Sequence, residues 1–142
     1  MTKKVIALSM LLLAAVMLFA ACSRPANVRE FFDANQSEWA ELVDEMNTEA
    51  EVLTRGTGIE MSITLEIYGN DTLVYNFIYG PNTEFLPTIG QDLDNELALM
   101  TASTTMMAQE LRRAMGIDVL YVQMRYLDSN GNVLAERTFA GH

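Results

Sequence analysis

The sequence predicts an α+β protein: a two-layer sandwich with the element order αββαββ, in which a four-stranded antiparallel sheet carries two helices on one face. Three observations predict it. Apolar residues recur at helical spacing between residues 28 and 53. Apolar and polar residues alternate strictly from Ile59 to Tyr68, as in a strand with one dry face and one wet face. Turn-forming residues then separate the later segments.

Residues 1–21 are predicted to be an export signal. Lys3 and Lys4 precede an apolar run that ends at Ala21, and a basic start before a short apolar stretch is typical of secretory signals. Two alternatives stay open. One is an ordinary signal cut after Cys22. The other is an uncleaved membrane anchor, which needs roughly 20 apolar residues and for which this run is slightly short.

Cys22 is the only cysteine of the chain and directly follows the apolar run. A lone cysteine in an exported protein must be free, intermolecular or modified, and this position favours modification. The sequence Leu18-Phe19-Ala20-Ala21-Cys22 resembles the lipobox of bacterial lipoproteins, except that Phe19 stands where leucine is usual. Lipid on Cys22 would anchor the protein durably. A short tether of residues 22–27 would then lead into a single domain of residues 28–142.

The first helix is predicted to begin at Asn27, which reads as an N-cap with Glu30 three residues on. It is predicted to end before Gly56. Residues 35–37 are its weak point, where it can break or restart. The second helix is predicted over residues 91–115, with acidic residues in its first turns and two arginines in its last, as the helix dipole favours.

Each helix is followed by a predicted hairpin. The first joins strands 59–68 and 72–79, and the second joins strands 117–127 and 133–139. Strands one and three are longer and are expected at the centre of the sheet. Because the two halves match weakly around Gly58 and Gly116, they suggest an αββ repeat. The side chains expected to face the core are Leu73, Tyr75, Phe77, Tyr79, Leu120, Val122, Met124 and Tyr126.

Composition excludes several kinds of function. After Ala21 the chain has seven Arg, no Lys and 19 Asp plus Glu, a net charge of −12 that repels nucleic acid. The only histidine is His142, expected at a frayed end. Ser-His-Asp, Cys-His and lysine chemistry therefore lack their residues. Hydrolysis by a pair of carboxylates is the enzymatic alternative that remains, but the spacing nominates no such pair, and we expect a non-enzyme without a cofactor. Asp92–Glu96 has oxygens at alternate positions but lacks the glycine of a calcium loop, so a helix start is favoured over a metal site.

One surface carries a candidate site. Alternation along strand three is expected to turn Ile117, Val119, Tyr121, Gln123 and Arg125 away from the helices. Because a two-layer fold leaves one sheet face open, apolar and aromatic residues there indicate a contact surface. Ordinary strand composition on a solvated face is the alternative. The predicted interaction surface consists of Val119, Tyr121, Gln123 and Arg125.

The chain also resembles a family. Besides its lipobox, it has DEMNTEAE in the first helix, NDTLVYNFIY in the first hairpin and YLDSNGNVLAERTF in the last. These segments are similar to small uncharacterised lipoproteins common in gut Gram-positive bacteria, a family known as a domain of unknown function. The resemblance covers the whole chain, implies an anchored extracytoplasmic domain and carries over no catalytic residues. By element order alone, the αββ repeat also resembles PepSY-like domains, which are exported and linked to protease inhibition.

Together these observations predict a non-enzymatic binding module at the outer face of the cell membrane. Its expected partners are the membrane, through Cys22, and a protein of the envelope. Since Val28 follows Cys22 by six residues, at about 3.3 Å per extended residue the domain would lie within roughly 20 Å of the lipid. A small-ligand or cation-sensing envelope protein, or a PepSY-like protease inhibitor, is the alternative.

Overall fold

The structure is a computed structural model that describes residues 25–142. The predicted export signal (residues 1–21) and Cys22 lie outside the described residues. Within residues 25–142, no helix is both long enough and apolar enough to cross a bilayer. The elements are α1 (Val28–Ala34), α2 (Gln36–Thr54), β1 (Met61–Tyr68), β2 (Thr72–Tyr79), α3 (Ile89–Leu99), α4 (Thr101–Met115), β3 (Tyr121–Leu127) and β4 (Val133–Ala140).

The first helical segment begins and breaks where its sequence indicates. The Asn27 side chain accepts a hydrogen bond from the Glu30 amide at 2.9 Å, as an N-cap does. The break falls at Asn35, whose Nδ2 donates to the Phe31 carbonyl at 2.7 Å. Asparagine side chains compete with the main chain for such bonds, which weakens a helix interior. This segment is therefore two helices, α1 and α2.

The second helical segment is also divided, and the prediction of one helix over residues 91–115 is wrong. Helix α3 ends at Leu99 and α4 starts at Thr101, with Met100 between them. The Thr101 hydroxyl donates back to the Ala98 carbonyl at 2.8 Å, a contact that bends helices. Helix α4 ends at Gly116, which adopts the left-handed conformation with φ 71°.

The sheet is mixed, with strand order β1-β2-β3-β4. Both hairpins are antiparallel, but β2 and β3 run parallel, so the prediction of a fully antiparallel sheet is wrong at its centre. The cause is the crossover between them. Residues 80–120 contain α3 and α4, and this length of chain can return to the end of the sheet where β2 began. There, the Tyr121 amide donates to the Asp71 carbonyl at 2.8 Å.

The parallel pairing also shows that the two halves are not a structural repeat. The rings of Phe77 and Tyr126 stack at 5.1 Å, so both hairpins turn their buried side chains to the same side of the sheet. To superpose the first hairpin on the second, its two strands must be reversed in direction while keeping their order across the sheet. A rotation that does this also turns the hairpin over, so its buried side chains would face the opposite side of the sheet. No rotation therefore carries the first hairpin onto the second.

One hydrophobic core joins the helices to the sheet face that we call the inner face. The strand residues expected in the core are all buried, and Ile117 is buried as well, at 3% exposure, rather than turned outward. Strand β3 begins only at Tyr121. Helix α2 contacts β1, while α3 and α4 contact β4. The core includes Trp39, Leu42, Met46, Ile63, Leu73, Tyr75, Phe77, Tyr79, Leu93, Leu97, Leu111, Val122, Met124, Tyr126 and Phe139.

Strand β1 lies at an edge of the sheet, so the expectation that it lies at the centre is wrong. Side chains of the helices take the place of a neighbouring strand. The Ile63 amide donates to Asn47 Oδ1 at 2.7 Å, and Asn47 Nδ2 donates to the Ile63 carbonyl at 2.8 Å. Farther along, Arg29 donates to the carbonyls of Ile67 and Gly69. Main-chain groups that an edge strand usually leaves open are thereby occupied.

Candidate functional site

The sheet face opposite the core, which we call the outer face, is formed by alternate residues of the four strands. On the edge strands these residues are exposed, and on the central strands they are half-buried or buried. The strand register sets them side by side in rows that cross the sheet. Its central residues are Thr64, Glu66 and Tyr68 of β1, Thr72, Val74 and Asn76 of β2, Tyr121, Gln123 and Arg125 of β3, and Glu136 and Thr138 of β4.

The structure places three of the four predicted surface residues on this face. Tyr121, Gln123 and Arg125 alternate with the buried side chains of β3, and each is half-buried. Val119 lies two residues before the strand and is 40% exposed. The predicted residues therefore lie along one continuous segment, with Val119 at the end of the sheet where β3 begins.

Arg125 links three strands across the outer face. Its Nη1 lies 3.4 Å from Glu66 Oε1, and its Nε lies 3.3 Å from Glu136 Oε2. Both carboxylates are about half exposed, at 54% and 49%, while Arg125 is 27% exposed. Exposed ion pairs of this kind contribute little to stability, about 0–1 kcal/mol. Two carboxylates facing one guanidinium leave the cluster with a net negative charge.

Asn76 lies beneath this cluster and was not singled out by the sequence. It pairs with Thr64 on one side and Arg125 on the other. Its Nδ2 donates to Thr64 Oγ1 at 3.2 Å, but its buried Oδ1 has no hydrogen-bond partner within residues 25–142. Asn76 is only 7% exposed. The sequence does contain a signal for it, because Asn76 is the one amide side chain in an otherwise apolar and aromatic stretch from Leu73 to Tyr79.

Beside the Arg125 cluster is a shallow depression of about 360 Å³. Val74, at 1% exposure, is the most buried of its lining residues. The Tyr68 side chain stands at its margin and is 76% exposed. The depression thus combines an apolar floor, an exposed aromatic ring and a charged margin. Its lining residues are Glu66, Tyr68, Thr72, Val74, Gln123, Arg125 and Thr138.

His142 is held against the end of the sheet beside Tyr121, so the expectation of a frayed end is wrong. The two rings meet edge to face at 4.8 Å, and His142 Nδ1 lies 3.3 Å from the Leu120 carbonyl oxygen. The residue before it is fixed as well. The Gly141 amide donates to the Leu120 carbonyl, and Arg112 Nε donates to the Gly141 carbonyl at 2.7 Å.

Two acidic segments, that of Asp92–Glu96, considered above for metal binding, and the last turn around Asp128, have structural roles. Asp92 lies in the first turn of α3, and Asp94 pairs with Arg137 at 3.3 Å. Asp128 accepts hydrogen bonds from the main-chain amides of Asn130 and Asn132 in the last turn. The hydrogen bond from the Asn132 side chain, together with these main-chain bonds, lowers the pKa of Asp128. Among residues 25–142, no three His, Cys, Asp or Glu side chains come together as a metal site.

Comparison with known proteins gives one finding. The model of a family described as a domain of unknown function (DUF4854) matches residues 35–139. This range runs from the residue before α2 to Phe139, one residue before the end of β4, and it includes Val119 and the central residues of the outer face. No curated protein matches the chain, and no solved structure matches it.

Proposed function

The chain belongs to the DUF4854 family, and from that premise we propose that it is a lipid-anchored extracytoplasmic binding module that meets a protein partner with the outer face of its sheet. The family description gives no activity, so the proposal depends on the residues of the chain. Residues 1–21 export it, and lipid on Cys22 anchors it to the outer side of the cell membrane. The lipobox resemblance supports this part of the proposal.

The observation that carries the binding role is the composition and exposure of the outer face. Tyr68 is 76% exposed and Val119 is 40% exposed. Tyr121 and Arg125, which lie on the same face, are half-buried. Tyrosine and arginine are enriched at protein interfaces and among the residues that dominate binding energy. Half-buried side chains also lose less conformational entropy on binding than fully mobile ones.

The place where α1 meets the sheet supports a location close to the membrane. Arg29, in the first turn of α1, donates to the carbonyls of Ile67 and Gly69 at the end of β1. The chain therefore enters the domain beside Tyr68. In this proposal, the end of the sheet formed by Tyr68, Val119 and Tyr121 is the end nearest the lipid.

The proposal includes the two-layer arrangement predicted from the sequence, with the helices together against the inner face. The shared core of the helices and the inner-face side chains supports it. The outer face then has no second layer and is available to a partner. The likeness to PepSY-like domains supplies one class of partner, a protease of the envelope.

A small-ligand or cation-sensing role is the second candidate. Helix α2 supports it, because Glu41, Asp44, Glu45 and Glu49 are exposed and have no ion pair within residues 25–142. Like charges three or four residues apart repel one another along a helix. A cation that neutralised them would raise the melting temperature, and calcium would then stabilise the protein measurably.

One experiment tests both parts of the proposal. Cells would express the full chain, Cys22→Ala, the outer-face double variant Val119→Ser with Tyr121→Ala, and a control double variant, Glu45→Gln with Glu49→Gln on α2. Each would be cross-linked in the cell, fractionated and weighed as intact protein. We expect diacylglycerol mass and membrane location for every form except Cys22→Ala. We expect the cross-linked partner to be lost from the outer-face variant and kept by the control.

Two outcomes would contradict the proposal. If wild type and Cys22→Ala are both soluble and have the mass of an unmodified chain, the anchor is absent. If the outer-face variant keeps the same cross-linked partner as the control, the partner binds elsewhere. Circular dichroism melting of each variant separates a lost contact from a lost fold.

A further inference from the structure

We infer that the outer-face depression binds the cationic side chain of a basic protein segment, a lysine or an arginine. This inference rests on the proposed function, because it names the chemistry of the partner for the same face. Lysine and arginine side chains combine an apolar stem with a charged head. A site for one of these side chains needs an apolar floor under the stem and a carboxylate within reach of the charged head. An aromatic ring beside the carboxylate strengthens the binding further.

The depression provides these three elements together. Val74 forms the apolar floor and is 1% exposed. Glu66 and Tyr68 lie two residues apart on β1, so both project from the outer face. The carboxylate of Glu66 is 54% exposed and the ring of Tyr68 is 76% exposed. A stem lying along the exposed ring of Tyr68, over the buried Val74, would bring its charged head to Glu66.

The charges at the site favour a second cation. Glu66 and Glu136 share the single guanidinium of Arg125, and both contacts are long, at 3.4 and 3.3 Å. Neither is the bidentate pair that would satisfy a carboxylate fully. Glu66, Glu136 and Arg125 together therefore carry one negative charge that no cation of the cluster neutralises. A basic side chain from a partner would neutralise it without displacing Arg125.

The charge of the whole domain points to the same partner. Residues 25–142 contain six arginines, no lysine and 19 acidic side chains. Such a field attracts basic partners over long distances and raises their association rate. Phosphate, an acidic peptide or an anionic lipid would instead meet two carboxylates around the one arginine of the cluster. A basic protein segment is thus the occupant that both the local and the overall charge select.

The test measures binding of a fluorescent peptide of alternating glycine and lysine to the full chain in neutral detergent micelles. The same peptide with acetylated lysines is the uncharged control. Glu66→Gln is expected to weaken binding about tenfold, and Tyr68→Leu about threefold. Glu84→Gln removes the same charge from the exposed segment after β2 and is expected to change binding less than about twofold, because this segment follows the end of β2 opposite the one beside Tyr68.

A second pair of variants tests the role of the shared arginine. Arg125→Gln frees both carboxylates and is expected to tighten binding of the lysine peptide severalfold. Arg113→Gln makes the same charge change on α4, where Arg113 pairs with Glu110 at 2.7 Å, and is expected to leave binding nearly unchanged. A merely structural role of Arg125 would weaken binding, not tighten it.

Three outcomes would overturn the inference. They are no binding of the lysine peptide, equal losses from Glu66→Gln and Glu84→Gln, and Glu66-dependent binding to phosphatidylcholine vesicles in place of the peptide. The third would assign the site to a lipid headgroup. If the peptide fails to bind while the outer-face double variant still loses its cross-linked partner in cells, the proposed function stands and the basic segment does not.

Discussion

At the scale of single residues, the edge of β1 depends on one amide side chain. Asn47 exchanges two hydrogen bonds with the main chain of Ile63, at 2.7 and 2.8 Å. It also donates to the Val43 carbonyl of its own helix at 2.9 Å. Asn47 thereby fixes α2 to β1 in the way that a neighbouring strand would fix its partner.

Replacing Asn47 with alanine is predicted to destabilise the protein by about 1–3 kcal/mol. The half-buried amide and carbonyl of Ile63 would lose their partner, and the desolvation cost of an unpaired polar group lies in this range. Chemical denaturation measures the change. Asn95→Ala on the exposed side of α3 is the matched control, and it is expected to be neutral because alanine favours helices. Equal stability of the two variants would contradict the role given to Asn47.

Which side of β3 is dry could be predicted from the sequence. The alternation of Val122, Met124 and Tyr126 with Tyr121, Gln123 and Arg125 is confirmed by burial, because a period of two follows from strand geometry alone. The environment of Arg125 could not be predicted. Its two glutamate partners come from β1 and β4, which reach it only through the strand order of the folded sheet.

At the scale of elements, the hairpins could be predicted and the pairing between them could not. Turn residues at Gly69 and Gly131, both with positive φ, mark the two reversals in the sequence. The contact of β2 with β3 has no such local signal. Parallel and antiparallel pairing both leave the same side chains on the inner face, so hydrophobic pattern does not distinguish them. The path of α3 and α4 decides between the two.

The end of α4 gives a prediction at this scale. Gly116 has φ 71°, and its amide donates to the carbonyls of Arg112 and Arg113. No atom lies within 4 Å of a Cβ placed on it, so substitution would cost only backbone strain. Gly116→Ala is predicted to destabilise the protein by about 1 kcal/mol. Gly116→Asn should cost less, because asparagine tolerates the left-handed conformation. Thermal denaturation compares them, and an alanine variant as stable as wild type would contradict this account.

At the scale of the whole molecule, three phenols in the core set an alkaline limit to stability. Burial raises the pKa of Tyr75, Tyr79 and Tyr126 above the usual value near 10. For Tyr79 and Tyr126, the nearby charge of Glu96 raises the pKa further. The hydroxyl oxygens of Tyr75 and Tyr126 are buried without a hydrogen-bond partner within residues 25–142. Ionising any of them in place would put an uncompensated charge into the core.

The sign of the pH effect follows from these shifts. A phenol with a raised pKa in the folded state contributes stability that is fully present below about pH 10, the pKa in the unfolded chain, and lost as the pH rises beyond it. The free energy of unfolding, measured by denaturant titration, is predicted to fall steeply above about pH 10. Tyr126→Phe should reduce the slope. A slope equal to that of wild type would show that Tyr126 does not titrate on unfolding.

The capped edge of β1 also limits how copies of the protein can polymerise. Growth of a fibre by strand addition requires units that are bivalent, with one open edge to receive a copy and another to pass it on. Asn47 and Arg29 occupy main-chain groups of Ile63, Ile67 and Gly69 along one edge, so a copy that paired there would have to displace both side chains. Crowding on a surface would therefore drive such molecules no further than closed pairs, and a dense population would remain dispersed where a protein with two open edges would form filaments.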